Sequence, residues 1–160
     1  MRPPNVKKLP TRFDSPSESP GLQLWRVSNV WQRSMRSALK PFDLTHVQFV
    51  LLAVATTLCE RGGPVNQTQV VDAADVDKMM GSQVLRTLEQ KGLLTRRPDP
   101  EDARAMLIGV TEQGYEAAAT AIKSVEAADE SFFRPLGDNA NTLAGLLTIL
   151  VAEQTVMRDK

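Results

Sequence analysis

The chain has 160 residues, with 19 basic and 19 acidic side chains and a formal net charge of zero. That length suits one domain of ordinary size or one small lobe with helical extensions, and the charge balance excludes a strong non-specific polyanion binder while leaving room for a local basic surface. A single cysteine, Cys59, and a single histidine, His46, exclude an intrachain disulfide and offer no ligand cluster for a structural metal.

No serine or cysteine has a candidate histidine base other than His46, and no glycine-rich phosphate loop is present, which argues against an enzyme and against a cofactor. No charged and then apolar leader opens the chain, and no apolar run approaches the roughly 20 residues that cross a bilayer. A cytoplasmic protein without membrane contact is expected.

Residues 1–19 carry Pro3, Pro4, Pro10 and Pro16 among serines and the basic Arg2, Lys7, Lys8 and Arg12. Such a composition makes an arm, not a core element: either a flexible leader or an arm laid across a partner copy with Phe13 as its anchor. Ser19 before Pro20 supplies an N-cap and a first-turn proline. Leu24, Val27, Trp31, Met35 and Leu39 then recur at three- and four-residue spacing, predicting a helix over 20–39 that Pro41 ends. Thr45 and Gln48 form a capping box ahead of VQFVLLAVATTL, a run apolar nearly all round that predicts a buried central helix. GGP at 62–64 breaks it. Asn66 with Gln69 makes a second capping box for a short helix, and Asp77 caps the next one about three residues later, the spacing of a helix-turn-helix. This last helix is expected to reach Lys91, with Gly92 just past its end.

Its residues divide into two faces. Met80, Val84, Leu85 and Leu88 form the predicted packed stripe, and Met79, Ser82, Gln83, Arg86 and Gln90 the outer one. The outer face suits a major groove, where Gln and Arg pair with base edges; it also suits an ordinary solvated surface. Leu93–Arg97 and Met106–Val110 read as two strands joined by PDPEDARA, whose prolines and acids are expected to stop both. Met106, Ile108 and Val110 alternate with Leu107 and Gly109, so one strand face meets the core. Arg96, Arg97 and Arg104 cluster on or near the projecting loop, where a guanidinium can enter a minor groove or grip phosphates.

Helix, turn, helix and hairpin together make a winged helix. Thr111 caps a further helix with Tyr115, Ala118, Ile122, Val125 and Phe132 as its stripe, and Pro135 ends it. Asp138 starts a last helix whose Leu143, Leu146, Leu147, Leu150, Val151 and Met157 form a stripe that needs a partner surface. The fold class is therefore mainly α (α+β). A winged helix-turn-helix lobe at 45–112 is flanked by helices at 20–40 and 113–160 that form a dimerisation bundle, all within one domain, 20–160.

The tract DKMMGSQVLRTLEQKGLLTRRPDPEDARAMLIGVTEQG resembles the recognition helix and wing of the MarR (multiple antibiotic resistance regulator) family of transcriptional regulators. The likeness is carried by Asp102, Ala103, Arg104 and Ala105, then Ile108, Val110, Thr111 and Gly114, with Leu88, Gly92, Leu93 and Arg96 upstream; LTHVQFVLL is similar to the family's second-helix tract. The resemblance implies a homodimer on a pseudopalindromic operator, a repressor in the first instance. Ser82, Gln83 and Arg86 would face the major groove and Arg104 would reach the minor groove, with Asp102 either positioning that arginine or serving as an ordinary turn acid.

Ala103 departs from the basic or small polar residue common in the family. From Lys78 to Arg104, six basic residues stand against four acidic ones, so binding would rest on aimed arginines more than on bulk charge. The candidate contacts to double-stranded DNA are Asn66, Thr68, Lys78, Met79, Ser82, Gln83, Arg86, Arg96, Arg97, Asp102 and Arg104.

The resemblance also implies release of DNA by a small aromatic or phenolic effector, for which Trp25, Trp31, His46 and Phe49 are candidate contacts; the alternative is that these are packing residues. Cys59 does not match the early cysteine of the family's oxidant sensors and reads as a small buried hydrophobe, with redox sensing as its alternative role. A winged helix used for protein docking is the competing function, and the exposed set Ser82, Gln83, Arg86 and Arg104 favours DNA.

Overall fold

The computed structural model describes residues 9–158, with side chains described to Glu153. It divides into two compact units, Met1–Arg33 and Ser34–Lys160, a boundary that falls inside the first helix. Pro3, Pro4, Arg2, Lys7 and Lys8 of the arm lie outside the described residues, as does the side chain of Met157.

In the first unit, a short 3-10 turn at Pro16–Glu18 precedes helix α1, Pro20–Leu39. Ser19 Oγ accepts from the Leu22 N–H, and Gln23 Nε2 donates to the Pro16 carbonyl, so the stretch before the helix is tied to its first turn. Arg12 lies over the half-buried Phe13 ring at 4.9 Å. The predicted apolar stripe is only partly buried: Leu24 and Val27 are exposed, whereas Met35 and Leu39, beyond the unit boundary, have no exposed surface. The spacing identified the helix but not how much of it is covered.

In the second unit, a 3-10 turn at Lys40–Phe42 ends on Asp43, which takes a left-handed backbone (φ 52°). The capping box of Thr45 and Gln48 starts α2, His46–Cys59, and caps of this kind contribute about 1 kcal/mol each. Phe49, Leu51, Leu52 and Ala55 of α2 are buried and join Leu39, Val70, Leu85, Leu88, Leu94 and Ile108 in one core. Strand β1 (Val65–Asn66) leads directly into α3, Gln67–Ala73, and α4 spans Lys78–Gln90. The wing follows as β2, Leu94–Pro98, and β3, Met106–Val110; α5 (Glu112–Phe133) and α6 (Asn139–Arg158) complete the unit.

The sheet differs from the two-stranded hairpin expected. It has three antiparallel strands in the order β1-β3-β2, with Val65 opposite Ile108 and Asn66 opposite Leu107. Pro98 belongs to β2, opposite Met106, and the strand begins at Leu94 instead of Leu93. The proline is admissible because β2 is an edge strand. Beyond it, the Asp99 N–H still donates to the Ala105 carbonyl.

The predicted stripe of α5 needs correcting, whereas that of α6 lies uncovered on the surface, as a stripe in need of a partner would. In α5 the buried positions are Gly114, Ala118, Ala121 and Val125, while Tyr115 and Ile122 are exposed. Small residues face inward because α5 runs close to the lobe: a Cβ on Gly114 would stand 1.9 Å from the Leu93 carbonyl oxygen, far inside van der Waals contact. In α6 the apolar residues are turned out, with Leu146, Ile149, Leu150 and Val151 all more than half exposed.

Candidate nucleic-acid interface

The site is built on the α3–α4 pair. Asn66 caps α3, its Oδ1 accepting from the Thr68 N–H at 2.8 Å, while its own N–H donates to Gln69 Oε1 at 3.0 Å. α3 closes with Asp75 left-handed (φ 49°), the Val76 N–H reaching back to the Val71 carbonyl and the Asp75 N–H to Asp72. That is a Schellman end with Asp in place of the usual glycine, which Asp tolerates better than most residues. Two residues later Asp77 Oδ1 accepts from both the Met79 and Met80 N–H groups at 3.0 Å. The turn is fixed at both ends.

The face of α4 packed on the core is Gly81, Leu85 and Leu88, with Val84 half-buried. Met80, assigned to the packed stripe from sequence, is 53% exposed. The position it was expected to fill is taken by Gly81, where a Cβ would meet the Val71 methyl carbons at 2.7 and 2.9 Å. The Val71 side chain of α3 thus packs directly on the α4 backbone at Gly81, and a methionine has no room between them. The signal was present as a glycine in mid-helix, unfavourable by roughly 1 kcal/mol against alanine unless packing requires it.

On the opposite side Met79, Gln83, Arg86 and Gln90 are exposed and follow one another at helical spacing, with Lys78 exposed at the first position and Thr68 exposed on α3; Ser82 is half-buried at the edge of the face. Met79 is 84% exposed.

The end of α4 joins the wing without slack. Gly92 is left-handed (φ 74°), its N–H bonds the Glu89 carbonyl and the Leu93 N–H bonds Leu88. Lys91 Nζ pairs with Asp43 Oδ2 at 2.9 Å and also donates to the Asp43 carbonyl. Thr111 accepts from the Gly114 N–H at 3.0 Å to cap α5, and donates its hydroxyl to the Gly92 carbonyl at 2.8 Å.

The three wing arginines are not equivalent. Arg97 and Arg104 are exposed. Arg96 shares the inner face of β2 with buried Leu94; its side chain is 10% exposed and lies 3.5 Å from Glu89, and its Nε and Nη2 donate to Gln67 Oε1 at 3.2 and 2.8 Å. At the tip, Asp102 Oδ1 accepts from the Arg104 backbone N–H at 3.0 Å and the Asp102 carbonyl from Ala105. Asp102 thus holds the turn that carries Arg104 through the backbone of that residue.

Of the effector candidates, Phe49 is a core residue and Trp25 is exposed, while Trp31 and His46 are half-buried. Trp25 and Trp31 belong to the first unit, His46 and Phe49 to the second. Burial lowers the pKa of His46 against an opposing pull from Asp129, so its neutral form is favoured. The Cys59 thiol donates to the Ile108 carbonyl at 3.6 Å, and burial raises its pKa against smaller backbone hydrogen-bond effects from Val110 and Val65, the setting of an unreactive thiol. Among the described residues no group of His, Cys, Asp and Glu is placed to hold a metal, and no single helix is long and apolar enough to cross a membrane.

A family profile described as MarR family matches residues 44–106, from the end of the turn before α2 to the first residue of β3. The uncharacterized HTH-type transcriptional regulator YdcH of Bacillus subtilis strain 168 is 40% identical over 143 residues, covering 89% of this chain and 97% of the relative. This chain belongs to the MarR family. Among solved structures, a MarR-family regulator from Rhodococcus sp. RHA1 aligns with a TM-score of 0.75 at 28% identity, covering 86% of this chain and 96% of the other. The transcriptional repressor CouR has been solved bound to a 23-mer DNA duplex (TM-score 0.75, 26% identity, 84% of this chain and 94% of CouR). CouR from Rhodococcus jostii RHA1 has also been solved with p-coumaroyl-CoA (TM-score 0.73, 27% identity, 86% and 95%). The protein is accordingly a MarR-family transcriptional regulator with a winged-helix fold.

Proposed function

We propose that this MarR-family regulator is a cytoplasmic homodimeric repressor that reads a pseudopalindromic operator. The α4 stripe Met79, Gln83, Arg86 and Gln90 lies in the major groove, with Ser82 at its edge, and Arg104 enters the minor groove from the wing. The observation that carries the reading is the exposure of that stripe on a helix whose opposite face is locked to α3 by the Gly81–Val71 approach. Gln and Arg have the donors and acceptors to pair with base edges, and Met79 offers an apolar surface suited to thymine methyl groups. Asn66, Thr68, Lys78 and Arg97 are assigned to backbone contacts around it, and Asp102 to the wing turn.

The proposed division of the chain keeps 45–112 as the reading lobe and gives 20–40 and 113–160 to pairing with a second copy, supported by the exposed leucines of α6. A small aromatic effector is a further part of the proposal, supported by the CouR complex with p-coumaroyl-CoA. The setting of Cys59 speaks against a redox trigger, and nothing at the α4 stripe favours protein docking over DNA.

The test is a gel-shift titration with a duplex selected by the wild-type protein from a random pool. Arg104→Ala should lower affinity severely while leaving the thermal unfolding curve in place, and unchanged affinity would remove the wing assignment. Arg86→Ala should cost about 1–3 kcal/mol on the selected duplex and little on random DNA if it reads a guanine.

A further inference from the structure

Arg96 leaves the wing strand toward the two helices of the reading head, not toward solvent. On β2 it stands two residues from buried Leu94, on the same strand face. Nε and Nη2 converge on the single acceptor Gln67 Oε1, at 3.2 and 2.8 Å, and Nη1 lies 3.5 Å from Glu89 Oε2. Gln67 opens α3 and Glu89 lies in the last turn of α4, so strand, first helix and second helix meet at one guanidinium. A planar guanidinium fixes direction as well as charge, and a donor this well covered has few other partners to turn to. Gln67 is neutral. Its contribution is geometrical.

The geometry points to Arg96 and Gln67 as a positioning pair for DNA binding: together they fix the angle of the wing relative to α3 and α4, so that Arg104 and the α4 stripe meet adjacent grooves at the same time. This rests on the DNA reading above, and it gives Arg96 a different role from the direct contact expected of it in the sequence. A direct phosphate contact would need the charge of Arg96 and be indifferent to Gln67; a positioning pair needs both.

Two variants of the full-length protein separate these roles. Gln67→Ala removes the acceptor and leaves the arginine charge, and Arg96→Lys keeps the charge and removes the planar fork. On the duplex selected by the wild-type protein, each should bind roughly ten- to a hundredfold more weakly. The double variant should lose no more than the worse single one, as expected of residues acting through one interaction. Hydroxyl-radical protection in the minor groove should fade while methylation protection of major-groove guanines persists, a split that a general loss of structure would not produce.

In the free proteins, amide hydrogen exchange over residues 94–110 should be faster than in wild type, with exchange in α2 unchanged. Full affinity in Gln67→Ala, or wild-type exchange in the wing of both variants, overturns the proposal. If the wild-type protein selects no duplex, or Arg104→Ala binds as well as wild type, the DNA reading fails instead, and the exchange measurement decides the positioning pair by itself.

Discussion

The winged lobe and the last helix of this MarR-family regulator treat apolar side chains in opposite ways. From Leu44 to Ile108 the large aliphatic residues of α2, α3, α4 and β3 are gathered into one core, and Leu51, Leu52, Val70, Leu85, Leu88 and Ile108 have no exposed surface. Along α6, residues of the same kind stand in solvent. The difference teaches that the lobe's own sequence satisfies its core, whereas α6 is a helix whose apolar surface is meant for something else. At about 25 cal/mol per Å² of apolar surface, leaving four or five such side chains exposed forfeits several kcal/mol that a covering surface would recover.

The contrast can be broken most severely at Gly114. Gly114→Ala places a Cβ against the Leu93 carbonyl, and because that oxygen is backbone, α5 must move away from the lobe; a loss of about 3 kcal/mol or more is expected in urea unfolding. A variant as stable as wild type would show that α5 is not held at this contact. The opposite half is tested by Leu146→Glu with Leu150→Glu on α6. The lobe should unfold at its wild-type urea concentration when measured at low protein concentration, while sedimentation shows the dissociation constant of the proposed dimer raised at least tenfold, given that each leucine contributes roughly 1.5–3 kcal/mol when covered. An unchanged oligomeric state would take α6 out of the dimer interface.

A smaller effect is expected at Gly81. Alanine there meets methyl groups of Val71, which can shift, so Gly81→Ala should destabilise the lobe by about 1–2 kcal/mol and widen the α3–α4 crossing. Pairing it with Val71→Ala should recover most of that loss, and failure of the pair to do so would remove Val71 as the cause. The smallest effect is a pH dependence within the lobe. Burial depresses the folded pKa of His46 below its unfolded value of 6.5, so the unfolded chain binds the proton more readily. The contribution of His46 is intact above pH 6.5 and is lost as the pH falls below that value and through the folded pKa. His46→Gln should flatten the urea midpoint over pH 7.5 to 5 relative to wild type, and an unchanged pH profile would show that the burial of His46 does not contribute.

The parts of this fold that were legible in the sequence are those set by near neighbours. Thr45 with Gln48, Asn66 with Gln69, Asp77, and Gly92 each act within one turn of the chain, so the starts of α2, α3 and α4 and the end of α4 followed from spacing alone. What was missed depended on residues far apart in sequence. Strand β1 is two residues long and exists only because β3, some forty residues later, offers it partners. Hydrophobicity placed Met80, Tyr115 and Ile122 inside, but backbone proximity reserved those faces for Gly81, Gly114, Ala118 and Ala121.

Of the candidate site, the exposed α4 stripe was visible from periodicity, and the tip arginine from its place in the charged loop between two strands. Alternation from Leu94 turns Arg96 inward, but nothing local in the sequence sets it apart from Arg97 and Arg104, because its acceptor Gln67 lies 29 residues away.

Thr111 ties together more than the start of α5. Its N–H donates to the Leu93 carbonyl, its hydroxyl donates to the Gly92 carbonyl, and Thr111 Oγ1 accepts from the Gly114 N–H in the first turn of α5. Three elements thereby share one rivet: the stem of the recognition helix, the return strand of the wing and the root of the long helix that follows. With no intervening loop, a displacement at the root of α5 would bear directly on the end of α4 and on the base of the wing.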